Sequence, residues 1–232
     1  MQIPLTNLLY SLIPLFIIGY FYYKWSNNKY EIAYATTRMI IQLLLVGYVL
    51  IYLFNEKNIY LGVVILSFMI IVSTWISLRN TTNKTFSHFI KILLSITISN
   101  ILHLLLIINF ILGLEDFYEP RYVIPIAGMI IANSMNVLSL AIERFEKELT
   151  TTQSFEEARN ISFKSALIPQ INSLLAVGLV SLPGMMTGQI LSGIDPLVAV
   201  RYQIMIMATI LSSAGLSLVI YFTFNNKSKS II

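Results

Sequence analysis

Three polar residues recur at helical spacing inside one of the most apolar stretches of the chain. Ser95, Ser99 and His103 lie at positions i, i+4 and i+8, and Asn100 stands beside them. In a helix this spacing places them on one face, and polar groups in an apolar helix are costly enough to be informative. Such a stripe can line a solute path, or it can form hydrogen bonds between packed helices. Hydrogen bonding between helices is the more common role.

A second polar group, Asn133, Ser134 and Asn136, lies at comparable depth in the next apolar segment. If a path exists, these residues are expected to line it together with Ser99 and His103. A metal role for His103 is disfavoured, because no second histidine or carboxylate follows at ligand spacing. The metal ligands, if any, are therefore unknown from sequence.

The stretch VSLPGMMTGQILSGIDPLVAVRYQ, residues 180–203, interrupts apolar sequence with backbone breakers and charge. The Pro183–Gly184 pair is expected to end or kink the preceding helix, and Gly193 suits the exit from a short helical turn. Asp195 and Pro196 read as the N-cap and first residue of the next helix. The predicted gate or hinge residues are Pro183, Gly184, Gly188 and Gly193.

This interruption predicts a re-entrant or interfacial element. Irregular backbone is tolerated at membrane depth where it borders protein or a water-filled cavity. We therefore interpret it as the wall or outer gate of a translocation path, with Asp195 and Arg201 as its charged rim. A tight hairpin outside the membrane is the alternative. Four nearby methionines either fill space or bind soft ions, and filling is favoured.

The longest polar connection runs from Glu143 to Lys164. Ser154 and Glu157 form a capping-box pattern that starts a short amphipathic stretch. The stretch is either a docking helix for a cytoplasmic partner or a polar loop helix that binds nothing. The predicted docking residues are Phe155, Glu156, Arg159 and Phe163.

Several catalytic signatures are absent from the sequence. It has no G-x-x-x-x-G-K-[ST] motif, no H-E-x-x-H and no G-x-S-x-G, which excludes ATP hydrolysis by a P-loop and the corresponding hydrolases. Without cysteine, the chain has no thiolate chemistry. The sequence predicts neither an enzyme nor a cofactor.

Composition places these residues in a membrane. The 232 residues are 56% hydrophobic and only 11% charged, whereas soluble domains average about 25% charged residues. The net charge of +4 is scattered between apolar blocks, which favours lipid headgroups over nucleic acid as its partner.

Seven segments are long and apolar enough to span a bilayer, and no strand pattern competes with them. We predict an all-α polytopic protein with a single domain, residues 1–232. The predicted spans are about 5–23, 33–54, 59–78, 89–112, 122–141, 166–182 and 196–224.

Lysine and arginine residues predict the orientation, because cytoplasmic loops carry an excess of both. Three lie at the outer side: Lys57, Arg121 and Arg201. Twelve lie at the inner side: Lys24, Lys29, Arg38, Arg79, Lys84, Lys91, Arg144, Lys147, Arg159, Lys164, Lys227 and Lys229. The N-terminus is predicted outside and the C-terminus in the cytoplasm.

Three blocks together resemble the FetB-type permeases, the membrane subunits of a putative iron-exporting ABC transporter with plant relatives linked to aluminium tolerance. The blocks are RMIIQLLLVGYVL (38–50), IPIAGMIIANSMN (124–136) and ALIPQINSLLAVGLVSLPGMMTGQILSGIDPLVAVRYQIMIM (166–207). The third block is long and specific. The resemblance covers nearly the whole chain.

The resemblance implies a permease in the plasma (inner) membrane that works as a homodimer, each copy docked to a separate cytoplasmic ATPase. It places functional weight on Asn133, Ser134 and Asn136, on 183–189 including Gln189, and on Asp195, Arg201, Tyr202 and Gln203. The connection after the fifth helix is shorter than in these relatives and lacks their Leu-Gly-Ala turn. Either the stretch from Phe155 to Phe163 couples the permease to its ATPase without such a turn, or the ATPase docks in a different way.

We therefore expect an ABC permease that exports iron or a related metal ion by alternating access. An ATP-independent channel or secondary carrier is the alternative, motivated by the polar stripe and the short connection. No acidic residue lies deep in a span, so an obvious proton relay is missing. A membrane partner that does not transport is the third possibility. The choice of iron as the transported ion is implied by the resemblance alone.

Overall fold

The secondary structure is helical, which confirms the all-α prediction for the part of the chain that is described. The computed structural model describes residues 4–26, 30–55, 58–79, 81–116, 118–152 and 154–227. Within these ranges there is no strand, and an isolated bridge joins Val177 to Ser181. Lys29, Lys57 and Lys229, which contribute to the predicted orientation, lie outside the described residues.

The described residues form eight α-helices and one π-helical turn. Lipid offers no hydrogen-bond partners, so apolar segments satisfy their own backbone groups as helices. The helices are α1 Leu5–Trp25, α2 Glu31–Asn55, α3 Ile59–Ser77, α4 Phe86–Leu106, the π turn Ile107–Leu112, α5 Pro120–Thr152, α6 Phe155–Ala176, α7 Gly184–Leu191 and α8 Pro196–Lys227.

Six of the described helices are long and apolar enough to cross a membrane, which confirms six of the seven predicted spans. The predicted segment 166–182 is not among them. Its helix, α6, begins at Phe155 and carries Glu156, Glu157, Arg159 and Lys164 in its first three turns. These charges lower its hydropathy, and the helix ends at Ala176, before its predicted boundary.

The predicted loop helix does not exist as a separate element. α5 continues to Thr152 and α6 starts at Phe155, so the polar residues of this region belong to the ends of two long helices. The Ser154 hydroxyl accepts a hydrogen bond from the backbone N–H of Glu157 at 3.4 Å, as the capping pattern predicts. This cap starts α6 itself.

The chain divides into two compact units, Met1–Glu56 and Lys57–Ile232. In the first unit α1 and α2 form a helical hairpin. The Tyr22 hydroxyl donates a hydrogen bond to the Glu31 carboxylate, and the rings of Tyr23 and Tyr30 meet edge to face at 6.3 Å. Both helices expose apolar side chains on most of their surface.

The second unit is a bundle in which α5 contacts α3, α4, α6 and α8. Buried isoleucines and alanines of α5 fill its core, and the small alanines let the neighbouring helices approach closely. These residues are Ile124, Ile126, Ala127, Ile130, Ile131, Ala141 and Ile142.

Side-chain contacts give the helix directions inside this unit. Phe145 of α5 meets Phe222 of α8, and the side chain of Tyr122 lies close to that of Tyr202. The first pair joins the C-terminal parts of the two helices and the second joins their N-terminal parts, so α5 and α8 run parallel. Gln170 of α6 contacts Asn133 in the middle of α5. The chain therefore returns along α6 from the end where α5 meets α6 (the α5–α6 end) to the end that carries α7 (the α7 end).

Candidate functional site

The predicted interruption forms an irregular segment between α6 and α8, which we call the connector (residues 177–195). After α6 ends, Gly178 adopts a left-handed conformation with φ of 82°. Its N–H donates to the Ser181 carbonyl oxygen at 3.0 Å, which closes a tight turn. Pro183 then precedes the short helix α7, whose bounds Gly184–Leu191 match the predicted helical turn.

The end of the sixth helix is predicted at Pro183 and lies instead at Ala176. The predicted position is wrong because the backbone leaves the helix at Val177, which is extended, and turns at Gly178, before the proline is reached. A positive φ is strained for residues with a Cβ and costs glycine little. Pro183 has a second role as the N-cap of α7, while Gly184 and Gly188 lie within that helix.

The start of α8 agrees with its prediction. Gly193 has φ of 90° at the turn that leaves α7. The Asp195 carboxylate accepts hydrogen bonds from the backbone N–H of Leu197 at 2.8 Å and of Val198 at 3.4 Å. Pro196 is the first helical residue. Asp195 therefore caps α8, and Arg201 lies exposed on the second turn of the same helix.

Two cavities border the connector. One, of about 640 Å³, lies between the end of α6, the connector and α8, and is lined by Gly178, Met186, Gln203 and Met207 among others. The other, of about 420 Å³, is more polar for its size and includes Asn172, Ser173 and Ser181. The connector is thus not sealed in tight packing.

Two glutamine side chains near the connector present unsatisfied oxygen atoms. Gln203 is 6% exposed, and its Oε1 has no hydrogen-bond partner among the described residues. The Oε1 atom of Gln189 on α7 is also buried and has no hydrogen-bond partner among the described residues. A buried amide oxygen without a donor costs about 1–3 kcal/mol, so a ligand or water that binds there gains from pairing it.

The polar stripe of α4 is divided between two neighbours. The Ser99 hydroxyl donates to the Ser213 carbonyl oxygen of α8 at 2.7 Å, and His103 Nδ1 donates to the Ser99 carbonyl oxygen at 2.7 Å. Asn100 faces α5 and donates to Ser134 at 3.3 Å. Ser99 and Ser134 are fully buried, so both hold helices together in this conformation.

Asn133 and Asn136 point toward α6. Asn133 Oδ1 accepts a hydrogen bond from Gln170 Nε2 at 2.9 Å. Asn136 and Gln170 line a cavity of about 440 Å³ between α3, α5 and α6, with Arg79 at its edge. The structure therefore brings these amides together with Gln170 but separates them from Ser99 and His103.

The predicted docking residues lie at the α5–α6 end. Glu156 and Arg159 form an exposed ion pair at 3.5 Å, and the ring of Phe155 packs against Phe145 at 5.3 Å. Arg159 and Phe163 line a pocket of about 370 Å³ together with side chains from the end of α8. This pocket lies at the α5–α6 end.

No group of three histidine, aspartate or glutamate side chains that could hold a metal ion occurs among the described residues. Apart from the Asp195 carboxylate, which caps α8, the side-chain oxygen atoms described near the connector are amides and hydroxyls. Such groups suit a hard cation that passes through better than one that is held tightly.

Comparison with known proteins defines the family. The model of the family described as "Uncharacterised protein family (UPF0014)" matches residues 5–228. The chain belongs to the UPF0014 family. This confirms the resemblance to the FetB-type permeases, since that permease is among the matching relatives.

Relatives of this UPF0014 member come from bacteria and plants. The "Probable iron export permease protein FetB" of Escherichia coli is 35% identical over 84% of this chain and 80% of its own length. The "UPF0014 membrane protein YjkA" of Bacillus subtilis is 34% identical over 92% of this chain and 89% of its own. "Protein ALUMINUM SENSITIVE 3" of Arabidopsis thaliana is 30% identical over 81% and 72%. No solved structure matches the chain.

Three polar residues of α6 in this UPF0014 chain were not predicted from the sequence. Gln170 pairs with Asn133, and Asn172 and Ser173 line the smaller connector cavity. A signal was present, because all three follow Pro169 inside a predicted apolar span, where polar side chains are unusual.

Proposed function

We propose that the chain is the permease subunit of an ABC transporter in the plasma membrane that exports iron or a related metal ion. The observation that carries the proposal is the relation to the "Probable iron export permease protein FetB", which extends over 80% of that protein. The absence of a P-loop motif from the sequence supports an ATPase on a separate subunit.

The transport path in this proposal runs beside the connector. A polar passage there is supported by the smaller connector cavity, with its Asn172, Ser173 and Ser181 side chains, and by the unpaired amide oxygen of Gln203. The larger cavity adds volume with mainly apolar walls. Glycines with positive φ at both ends of the connector, Gly178 and Gly193, are suited to hinge motion. Alternating access would open this passage to one side of the membrane at a time, and a homodimer would place two such surfaces face to face.

The ATPase docks at the α5–α6 end. α5 has 33 residues, so it is about 50 Å long and extends beyond a hydrocarbon core of about 30 Å. The projecting turns, the start of α6 and the pocket lined by Arg159 and Phe163 offer a partner surface. The return of the chain along α6 supports seven crossings, with the N-terminus outside and this end in the cytoplasm.

Co-reconstitution with an ABC-type ATPase from the same organism tests the proposal. We expect ATP-driven Fe²⁺ movement in proteoliposomes and a permease-dependent rise in ATP turnover. Arg159→Glu should lower that rise about tenfold. Arg121→Glu, a charge reversal at an exposed position at the opposite end of α5, should leave it unchanged. If the rate of ATP hydrolysis is the same with and without the permease, the proposal is wrong.

The second candidate function, an ATP-independent channel or carrier, is favoured only by the cavities themselves. It predicts Fe²⁺ flux through proteoliposomes that contain the permease alone. Flux of this kind that does not rise when ATPase and ATP are added would replace the ABC proposal.

A further inference from the structure

A further cavity lies away from the connector. It occupies about 440 Å³ between α3, α4, the π turn and α5, and it shares no lining residue with the two connector cavities. Its walls are mainly aliphatic, including Ile70, Leu104 and Ile108, and exposed Val63 borders it. α3 and α4 are both candidate membrane spans, so this cavity adjoins lipid.

One polar atom deep in this cavity is unsatisfied. Asn100 is fully buried, and its Nδ2 group donates to the Ile96 carbonyl oxygen at 2.7 Å and to Ser134 at 3.3 Å. Its Oδ1 accepts no hydrogen bond from any described residue. An amide oxygen has two lone pairs, and leaving both unpaired in an apolar wall is expensive.

A second unsatisfied group lies on the same cavity. Tyr118 is 9% exposed, and its hydroxyl has no partner among the described residues. Its ring packs directly on Gly62, where an added Cβ would lie 2.3 Å from the ring. Burial raises the pKa of the Tyr118 phenol, so the hydroxyl stays protonated and able to donate.

We propose that this cavity binds a membrane-resident amphiphile with an alkyl chain and a hydrogen-bond donor such as a hydroxyl or amide N–H. The alkyl chain fills the aliphatic volume and the donor pairs with Asn100 Oδ1. The Tyr118 hydroxyl pairs with a second polar group of the same molecule. Apolar cavities of this size are ligand-sized and poorly hydrated, which favours an amphiphile over a cluster of water. The proposal does not depend on the transported substrate.

Binding of a matched pair of probes to the full chain in detergent tests the donor. We expect 1-dodecanol to displace a photoreactive dodecanol analogue at least about tenfold better than dodecane does, which corresponds to one buried hydrogen bond. Asn100→Leu should abolish this preference. Asn109→Leu should keep it, because Asn109 is exposed on the π turn and does not line the cavity.

The mouth of the cavity provides a second test that does not disturb the core. Val63→Trp should reduce labelling by the photoreactive alcohol at least fivefold, whereas Val64→Trp should not. Both valines are exposed on α3, and only Val63 lines the cavity. Equal affinity for alcohol and alkane, or labelling that survives both Asn100→Leu and Val63→Trp, would overturn the proposal.

Discussion

Asp195 combines a structural contact with a position at the predicted rim of the path. Its carboxylate caps α8 through the backbone N–H groups of Leu197 and Val198, and its side chain also carries a negative charge beside the connector. Asparagine caps helices about as well as aspartate. The two roles can therefore be separated at a single position.

We predict that Asp195→Ala destabilises the start of α8 by about 1 kcal/mol, because the cap is lost. Asp195→Asn should retain the wild-type thermal stability and still lower metal export if the charge belongs to the rim. Thermal unfolding in detergent and export from cells measure the two effects. If Asp195→Asn exports metal at the wild-type rate, the charge of Asp195 plays no part in transport.

Other polar residues at the site divide according to their hydrogen bonds. Ser99, Ser134 and Asn133 are paired across helix interfaces, whereas the side-chain oxygens of Gln189 and Gln203 lack partners among the described residues. Paired groups contribute to helix association. The unpaired oxygens keep their capacity to accept a hydrogen bond or contact a cation, so within the predicted path we propose Gln203 for a transient cation contact.

At the scale of elements, aromatic side chains join the α5–α6 end to α8. Phe145 meets Phe155 of α6 and Phe222 of α8, each at a ring separation of 5.3 Å. Such edge-to-face pairs add to the free energy gained by burial. These contacts link the proposed docking surface to α8, the helix that begins after the connector.

We predict that Phe145→Ala lowers the free energy of unfolding by about 3 kcal/mol, since Phe145 is buried and the site cannot collapse fully. It should also weaken the response of the ATPase. Phe110→Ala serves as the control, because Phe110 is 86% exposed and should change stability little. A stability loss equal to that of the control would show that the aromatic contacts do not hold the end together.

Polar contacts reinforce the same end. Glu146 of α5 accepts hydrogen bonds from the Thr81 hydroxyl and from the Thr82 N–H at 2.8 Å. His88 bridges the Asn83 carbonyl oxygen and the Tyr221 hydroxyl, at 2.7 and 2.8 Å. The turn between α3 and α4 is thus fastened to both α5 and α8. A movement of α5 at the proposed docking surface would be transmitted through these contacts to α3, α4 and α8.

At the scale of the whole molecule, the proposed topology makes a direct prediction about access. The chain has no cysteine, so single cysteines can be introduced without further change. In intact cells a membrane-impermeant maleimide should label Glu115→Cys and Ser192→Cys, and it should label Lys147→Cys only after permeabilisation. Labelling of Lys147→Cys in intact cells would reverse the orientation, and protection of Ser192→Cys would argue against the return of the chain across the membrane.

Much of the architecture could be predicted because it depends on local properties. Apolar length predicted six spans, and the Asp195–Pro196 pair predicted the start of α8, since a cap acts within a few residues of its own position. The family could likewise be identified from short blocks of sequence. The end of α6 was more difficult to predict, because a helix can end near either Gly178 or Pro183. Which of the two sites ends the helix depends on the side chains that pack beside them.

The partners of the polar residues were decided by the tertiary structure. Ser99 and Asn100 are neighbours in sequence, yet one bonds to α8 and the other faces α5. The hydrophobic pattern places both inside the bundle but does not specify how α4 is rotated against each neighbour. That rotation results from the packing of distant side chains, and it also determines where cavities form and which amide oxygens are left unpaired in them.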